Sequence, residues 1–321
     1  MKIETTYQSG FKIMLQGLFA LLGRELKKWV KEPIILLMAI IQPVMWMVLF
    51  GKSMNLGAIF STNALKNLKV PDITIPGNLV NPSVDGLIVI PGSVLSENLR
   101  NVFSSIGIQA MENVFGISDY FSYLAIGMMS MITIFTSTFA GMSIVWDRRL
   151  GFLYKVLSTP VPRSAIILSK VLNAALRSIF QSTIILTLAI ILGVRFSPTF
   201  SLVNLLGIYF AIFLFSVGLS SLFIAFALRS TRHETQIAIV NLVTMPLMFT
   251  SNTFFPISIM PDWLQAVAKI NPVSYMTDAL RQLTVYQIDV SMLLLDLIYL
   301  TLFAISLSLL GITLAWKYLV K

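Results

Sequence analysis

An uncharged run of about 27 residues, Tyr120 to Trp146, constrains this chain more than any other feature. As an α-helix that rises about 1.5 Å per residue, it would reach roughly 40 Å, which exceeds the roughly 30 Å hydrocarbon core of a bilayer. The run ends at Asp147, and a short basic segment punctuated by glycine and proline follows. We therefore expect a helix that crosses the membrane and projects this segment into the cytoplasm, where a separate protein could bind it.

The composition is that of a membrane protein. Hydrophobic residues make up 56% of the sequence and charged residues only 12%, with a mean hydropathy of +0.84, whereas soluble domains carry about twice that share of charge. The net charge of +9 does not indicate nucleic-acid binding, because the basic residues lie in short segments between apolar stretches. The absence of cysteine excludes disulfides, thiol catalysis and cysteine-ligated metals. We predict an all-α polytopic membrane protein.

Six apolar stretches are predicted as spans within a transmembrane domain of residues 33–316. They are Pro33–Phe50, Tyr120–Trp146, Val171–Val194, Leu202–Leu228, a stretch from near Gln236 toward Phe255, and Met292–Trp316. An even number of spans puts both termini on one side of the membrane. Basic residues concentrate in the N-terminal segment, in the segment after the second span and in the tail, residues 317–321, so the positive-inside rule makes both termini cytoplasmic.

Residues 1–32 contain an amphipathic pattern from Phe11 to Lys31. Apolar residues recur at helical spacing on one side, and basic residues form a stripe. The apolar set is Phe11, Leu15, Leu18, Leu22, Leu26 and Trp29, and the basic set is Arg24, Lys27, Lys28 and Lys31. This pattern favours a helix in the cytoplasmic interface with its basic stripe toward anionic lipid head groups. An ordinary helix with a solvated charged face is the alternative.

Two connections are predicted to lie on the outer side. Proline and glycine break residues 51–118 into short pieces, and we expect a small mixed external domain there, with short strands and a helix near Val94 to Phe115. Residues 256–289 are amphipathic and break at Asn271-Pro272. Asparagine can cap a helix and proline can occupy its first turn. We predict two short external or re-entrant helices before the last span.

The sequence carries no phosphate-binding loop. Gly51-Lys52-Ser53 resembles only the end of one, because Trp46 stands where the first glycine would be needed. A single histidine, His233, argues against a histidine-based zinc site or proton relay, and we expect it to be a plain loop residue at the cytoplasmic surface. We therefore predict that this chain neither hydrolyses ATP nor binds a cofactor.

Arg177 lies well inside an apolar stretch, and Gln181 follows one turn later. Two interpretations stay open: Arg177 snorkels to the cytoplasmic interface, or it is a buried arginine that bonds neighbouring helices or gates the cytoplasmic side. Asp296, at the start of the last span, is expected at the interface. Small residues four apart predict close helix packing. They are Thr133, Ser137 and Gly141 in the second span and Ser216 and Ser220 in the fourth.

Three stretches of the sequence resemble the ABC-2 family of ATP-binding-cassette transporter permeases, and most of all its daunorubicin-resistance, drug-export type. The first runs from Arg24 through Pro33 and Pro43 to Gly51. The second, from Asp119 to Lys170, contains Asp147-Arg148-Arg149-x-Gly151-Phe152-Leu153 and Pro160-Val161-Pro162-Arg163. The third contains Met260-Pro261-x-Trp263-Leu264, Asn271-Pro272-Val-Ser-Tyr275 and Asp278-Ala-Leu-Arg281. Together these stretches are distributed along nearly the whole chain, from Arg24 to Arg281.

This resemblance implies a function and a set of partners. Two permease copies, expected to be a homodimer, would assemble in the cell (inner) membrane of a prokaryote with two separate ATPase subunits that bind ATP and magnesium. ATP-driven closure of the ATPases would push on residues 147–163 and on the N-terminal helix. The permeases would then move a hydrophobic or amphipathic substrate outward, such as a drug, an antibiotic or a lipid-like molecule.

Specific residues can be assigned to this coupling. Gly151 and Pro160 would delimit a short helix whose apolar side chains fill a groove on the ATPase, while nearby arginines meet acidic residues around that groove. The predicted coupling residues are Asp147, Arg148, Arg149, Gly151, Phe152, Leu153, Val156, Leu157 and Pro160, with a second contact at Arg24, Lys27 and Lys28. Alternatively, the arginines only enforce the membrane topology.

Two other protein classes compete with this interpretation. An ion- or proton-coupled secondary transporter would need titratable groups deep in the membrane, and the sequence offers almost none beyond Arg177. A membrane-embedded enzyme would need a nucleophile and a base, and no convincing set is present. ATPase activity of a nucleotide-binding chain that co-purifies with the protein would separate the transporter subunit from both alternatives.

Overall fold

The computed structural model describes residues 2–53, 70–76, 87–230 and 232–319, and this part of the chain is predominantly helical. The elements in chain order are α1 (Lys2–Val30), α2 (Pro33–Trp46), which continues as a π-helical turn (Met47–Lys52), β1 (Ile73–Pro76), β2 (Leu87–Ile90), α3 (Gly92–Phe115), α4 (Tyr120–Arg149), α5 (Phe152–Leu157), α6 (Arg163–Ile191), α7 (Leu202–Arg229), α8 (His233–Phe249), α9 (Asp262–Ala268), α10 (Pro272–Gln282) and α11 (Val290–Leu319). The predominantly α-helical architecture predicted from the sequence is confirmed.

Helix α4 is the centre of the bundle. It packs against α2, α6, α7, α8 and α10, and most of its side chains are buried. Asp119 caps its start by accepting hydrogen bonds from the amides of Phe121 (3.3 Å) and Ser122 (3.1 Å). The helix continues through the charged residues Asp147 to Arg149, so it reaches beyond the uncharged run that predicted it.

The core has an outer and an inner part along α4. The outer part surrounds the first half of α4, and the inner part surrounds its end near α5. Between them, hydroxyl groups join the helices: Ser216 lies 3.1 Å from both Ser137 and Ser178. A Cβ on Gly141 would come within 2.5 Å of the Phe223 carbonyl oxygen. The stripes of small residues are therefore packing faces, as predicted.

The helices of the structure match only part of the predicted set of membrane spans. Among the residues that the structure describes, four stretches have the length and hydropathy of a helix that could cross a membrane: Gly92–Arg149, which contains α3 and α4, Arg163–Ile191, Leu202–Arg229 and Val290–Tyr318. The predicted first span corresponds to a shorter apolar helix, Leu36–Lys52. The predicted fifth span ends as a helix at Phe249 rather than near Phe255, because the polar turn from Ser251 to Thr253 replaces helical hydrogen bonding. The count of six stays a prediction.

Helix α11 presents an apolar face to the outside. Six large side chains on it are each more than half exposed: Leu294, Leu295, Ile298, Leu302, Ile305 and Leu309. A contiguous exposed apolar face of this size marks a surface that contacts lipid or another protein. The opposite face packs on α7, where Gly218 makes room for Phe303. This arrangement is consistent with a helix at the lipid boundary.

The described residues between α2 and α4 include two short strands and one helix. Strands β1 and β2 pair antiparallel, with Ile73 opposite Ile90. Asp72 accepts a hydrogen bond from the Gly92 amide (2.7 Å), which ties the start of α3 to β1. The strands and helix expected in the loop 51–118 are therefore present, although residues 54–69 and 77–86 lie outside the described part of the chain. Its external position stays a prediction.

The two short helices within residues 256–289 differ in their surroundings. Asn271 caps α10 by accepting a hydrogen bond from the Val273 amide (2.9 Å), and Pro272 occupies the first turn, as predicted. Helix α9 is at the surface, where Trp263 is 69% exposed. In contrast, α10 is buried among α4, α7 and α11, with Met276 and Leu280 fully enclosed. Only α9 therefore resembles an interfacial helix.

Candidate functional site

The chain reverses direction within a few residues at the end of α4. Gly151 adopts a left-handed conformation (φ +73°) at the N-cap of α5, and Pro160 lies between the end of α5 and the start of α6. A Cβ on Gly151 would meet nothing within 4 Å, so glycine is favoured there by its backbone conformation and not by crowding. The predicted short helix between Gly151 and Pro160 is confirmed.

One side of α5 belongs to the inner core. Leu153 and Val156 are buried and pack with the ends of α4, α6 and α7, and Phe152 and Leu157 are partly buried against the same cluster. The sequence analysis placed these side chains in a groove of a partner. The structure corrects this for Leu153 and Val156, because a helix that lies across the ends of three others must turn its apolar side toward them. For the half-buried Phe152 and Leu157 the assignment stays a prediction.

The other side of the segment is exposed and combines charge with apolar surface. Leu150 is 70% and Tyr154 is 65% exposed, and Arg149, Lys155 and Pro160 are exposed as well. We call these five residues the outer face, meaning the side of the segment that is turned away from the inner core. Large apolar and aromatic side chains that are exposed together on a short segment can anchor a protein partner.

The two arginines at the end of α4 have different surroundings. Arg148 turns inward, where its guanidinium donates to the carbonyl oxygens of Ser230 (2.7 Å) and Leu228 (3.0 Å). A cation is favourable at a helix C-terminus, so Arg148 fastens α4 to the end of α7. Arg149 is exposed, with its guanidinium carbon 5.8 Å from the Trp146 ring centroid. Of the two, only Arg149 is available to a partner.

A buried ion network joins three helices directly beneath the segment. Lys170 of α6 donates to Asp147 of α4 (2.5 Å) and to Glu25 of α1 (3.1 Å). Arg24 donates to Glu25 (2.8 Å) and to Asp147 (3.3 Å). The network therefore consists of two cations and two carboxylates. Ser143 accepts a hydrogen bond from Lys170 at 2.7 Å.

Because the network is buried, the loss of any one of its members is costly. Asp147 is 2%, Lys170 3% and Glu25 6% exposed, so each charge has lost most of its water. Replacing such a network with apolar residues can be neutral, but removing one member leaves a buried charge without a partner and costs about 3–5 kcal/mol. The network therefore fixes how α1, α4 and α6 are arranged.

Arg24 extends the network to α5. Its guanidinium carbon lies 3.3 Å from the centroid of the Phe152 ring, a cation–π contact that holds α5 against α1. The sequence analysis assigned Arg24, Lys27 and Lys28 to a second partner contact. Only Lys27 is clearly exposed, whereas Arg24 belongs to the network and Lys28 lines a cavity.

Glu25 was missed by the sequence analysis. Its signal was an acidic residue on the apolar side of an amphipathic helix, three positions after the buried Leu22. An acid in that position needs a cationic partner when the helix packs against protein.

A cavity of about 580 Å³ lies beside the network, between α1, α4, α6 and the start of α8. Arg177 lines it, with its guanidinium carbon 5.4 Å from the Trp29 ring and 5.8 Å from the Phe139 ring. Gln181 is separate from it, because it is fully buried and accepts a hydrogen bond from the Thr136 hydroxyl. Arg177 is thus a cavity residue, and Gln181 is an interhelical contact between α4 and α6.

His233 is not a plain loop residue. It is the first residue of α8, and its ring packs against Trp146 in a tilted arrangement, with 60° between the ring planes and 5.0 Å between the centroids. It also lines the cavity, where its Nδ1 atom is buried without a hydrogen-bond partner among the described residues.

A second buried cation holds the opposite end of the bundle. Arg281 of α10 is fully buried and donates to the carbonyl oxygens of Asn252 (2.9 Å), Thr253 (3.0 Å) and Tyr123 (3.2 Å). The pKa of the neighbouring Asp278 carboxyl is raised above its ordinary value, because the effect of burial exceeds the lowering by the Arg281 charge and by a hydrogen bond from Asn252. Arg281 therefore closes the polar turn after α8 onto α4.

Asp296 differs from its predicted position. It is only 7% exposed and accepts a hydrogen bond from the Gln282 amide (3.1 Å), so it is not an open interfacial residue. Among the described residues, no group of three or more His, Asp or Glu side chains could hold a metal ion.

The sequence was compared with known proteins. Residues 16–285 match the family model described as ABC-2 type transporter. A protein of Cyanophora paradoxa described as a transport permease, ycf38, is 25% identical over 268 residues, which cover 83% of this chain and 73% of the relative. The daunorubicin resistance ABC transporter permease protein DrrB1 of Streptomyces coeruleorubidus is 24% identical over 165 residues, 51% of this chain and 58% of the relative.

Replacing Lys170 by glutamine should strongly lower the thermal unfolding midpoint of the purified protein in detergent. Asp147 and Glu25 would remain buried with Arg24 as their one cationic partner in the network, and the expected loss is about 3–5 kcal/mol. Lys155→Gln is the matched control, because Lys155 is an exposed lysine of the same region, and it should leave the midpoint unchanged.

Adding Asp147→Asn to Lys170→Gln should restore part of the lost stability, because the remaining charges of Arg24 and Glu25 balance. A double-mutant cycle measures this coupling. Equal midpoints for Lys170→Gln and Lys155→Gln, or additive effects of the two network substitutions, would contradict a coupled network.

Proposed function

The chain belongs to the ABC-2 type transporter family, and on that premise we propose that it is the membrane subunit of an exporter driven by a separate ATPase. The outer face carries the proposal, because it is the exposed side of a short helix at the end of the central span. Drug resistance is named in the descriptions of several relatives, DrrB1 among them. For this chain, we propose a hydrophobic or amphipathic cargo that moves outward across the cell membrane of a prokaryote, with both termini cytoplasmic.

The proposed coupling follows from what α5 contacts. A push on the outer face reaches α4 and α6 directly, because residues 150–151 join α5 to α4 and residues 158–162 join it to α6. It reaches α1 through the contact of Phe152 with Arg24, and the ion network prevents the three helices from separating. We propose that ATPase closure tilts these helices as one body and so changes access to the translocation pathway.

The outer face makes the docking proposal testable. Tyr154→Asp combined with Lys155→Glu should weaken capture of the partner ATPase at least about tenfold, equivalent to about 1.4 kcal/mol, because the anchoring ring and the charge are lost together. Membrane insertion and the unfolding midpoint should not change, since both side chains are exposed. Capture is measured by pull-down of the co-expressed ATPase, followed by ATP hydrolysis and transport.

Tyr318→Asp is the control, because Tyr318 is an exposed tyrosine at the end of α11. It should capture the ATPase as the unchanged chain does. Normal capture and export by the Tyr154 and Lys155 variant would refute docking at the outer face. Vigorous ATP hydrolysis by the purified chain without a partner would refute the division of labour, and ion-driven transport without any ATPase would favour a secondary transporter.

We also propose that two copies of this chain form the permease. One copy offers few helices to enclose a pathway for a bulky amphipath, and the exposed apolar faces of α2 and α8 need to be covered by lipid or protein. Light scattering of the detergent-solubilised complex should give two permease chains and two ATPase chains. A complex with one copy of this chain, alone or with a different permease, would contradict the homodimer.

A further inference from the structure

The cavity beside the ion network carries a set of polar atoms without partners. We call it the inner cavity and define it by Trp29, Phe139, Trp146, Asn173, Arg177 and His233. Its volume of about 580 Å³ lies within the range of sites that hold small molecules. It shares Glu25 and Ser143 with the network and Leu150 with the outer face, so it touches both parts of the proposed coupling apparatus.

Several buried groups of the inner cavity lack hydrogen bonds within the described part of the chain. The atoms are Trp29 Nε1, Arg177 Nε and Nη2, Asn173 Oδ1 and His233 Nδ1. A buried polar group without a partner costs about 1–3 kcal/mol, and such groups call for a water or a ligand that satisfies them. The Trp29 and Arg177 atoms are hydrogen-bond donors, so the cavity favours a ligand with acceptor oxygens.

The charge balance points in the same direction. Arg177 and Lys28 contribute two positive charges, and Glu32 contributes one negative charge. Glu25 also lines the cavity, but Arg24 and Lys170 already pair with it. The charges that remain are therefore positive overall, and a planar guanidinium with open N–H groups suits a carboxylate or phosphate group.

The rest of the lining is apolar. Phe139, Met142 and Trp146 follow one another along α4, and Leu150 continues the surface at the end of that helix. A free inorganic anion would leave this surface in contact with water. An anion that carries an apolar tail would cover it and gain the corresponding transfer free energy.

We propose that the inner cavity binds the anionic head group of an amphipathic molecule, with Arg177 and Trp29 donating to the head group and Phe139 and Trp146 contacting the apolar part. Only one part of this proposal rests on the proposed function, namely that the bound molecule is the one the transporter exports. Binding itself requires no ATPase, so it can be measured on the purified chain alone.

Calorimetric titration of the full chain in neutral maltoside micelles, with dodecyl phosphate as the probe, tests the proposal. Dodecyl phosphate should bind saturably, and Arg177→Gln should weaken binding at least tenfold. Arg177→Lys should weaken binding less than Arg177→Gln, since it keeps the charge but loses the planar set of N–H donors. Arg163→Gln removes an arginine at the start of the same helix but outside the cavity, and it should bind as the unchanged chain does.

Asn173→Asp sharpens the test, because it adds a negative charge to the cavity with almost no change in volume. It should weaken dodecyl phosphate and strengthen dodecyltrimethylammonium. Equal binding to the unchanged chain and to Arg177→Gln would overturn the proposal, provided that both unfold at the same temperature, and so would tighter binding of the cationic probe by the unchanged chain. Inorganic phosphate that binds as tightly as dodecyl phosphate would overturn the role of the apolar tail.

Discussion

The ion network formed by Arg24, Glu25, Asp147 and Lys170 is the interaction on which the inner half of this protein depends. Its members come from α1, α4 and α6, and three of them are almost entirely buried. Charges in such a place have exchanged water for one another, so no member can leave without a large cost. The network therefore holds α1, α4 and α6 in a fixed arrangement, while the outer face of the neighbouring segment remains exposed.

This fixed arrangement explains how a force on the short surface helix α5 can be passed to the long helix α4. One side of α5 is part of the core through Leu153 and Val156, and its other side leaves Tyr154 exposed. The contact of Arg24 with Phe152 adds α1 to the same unit. The inner cavity lies against this unit, so an occupied cavity and a docked ATPase would act on the same three helices.

The sequence predicted those features that depend on local pattern. The length of α4, the turn at Gly151 and the cap at Asn271 follow from hydropathy and from the preferences of single residue types. It could not predict the ion network, because Glu25 and Lys170 are 145 positions apart. The place of Glu25 on the apolar side of α1 indicates that it needs a cationic partner but not which cation supplies it. Leu153 was assigned to a partner for a related reason. The sequence shows that an apolar residue is expected to be buried, but it does not show whether its own chain or another chain buries it.

The most direct measurement is the distance between spin labels at Lys27→Cys and Ser158→Cys in the assembled transporter, with labelled chains diluted by unlabelled ones so that only distances within one copy are observed. Both residues are exposed, Ser158 lies at the end of α5 outside the outer face, and the chain has no other cysteine. The account predicts one narrow distance distribution that is the same without nucleotide and with ATP bound, and a broader one when Lys170→Gln is added. A distance that changes on ATP binding with the network intact would show that α5 moves independently of α1, and would contradict the account.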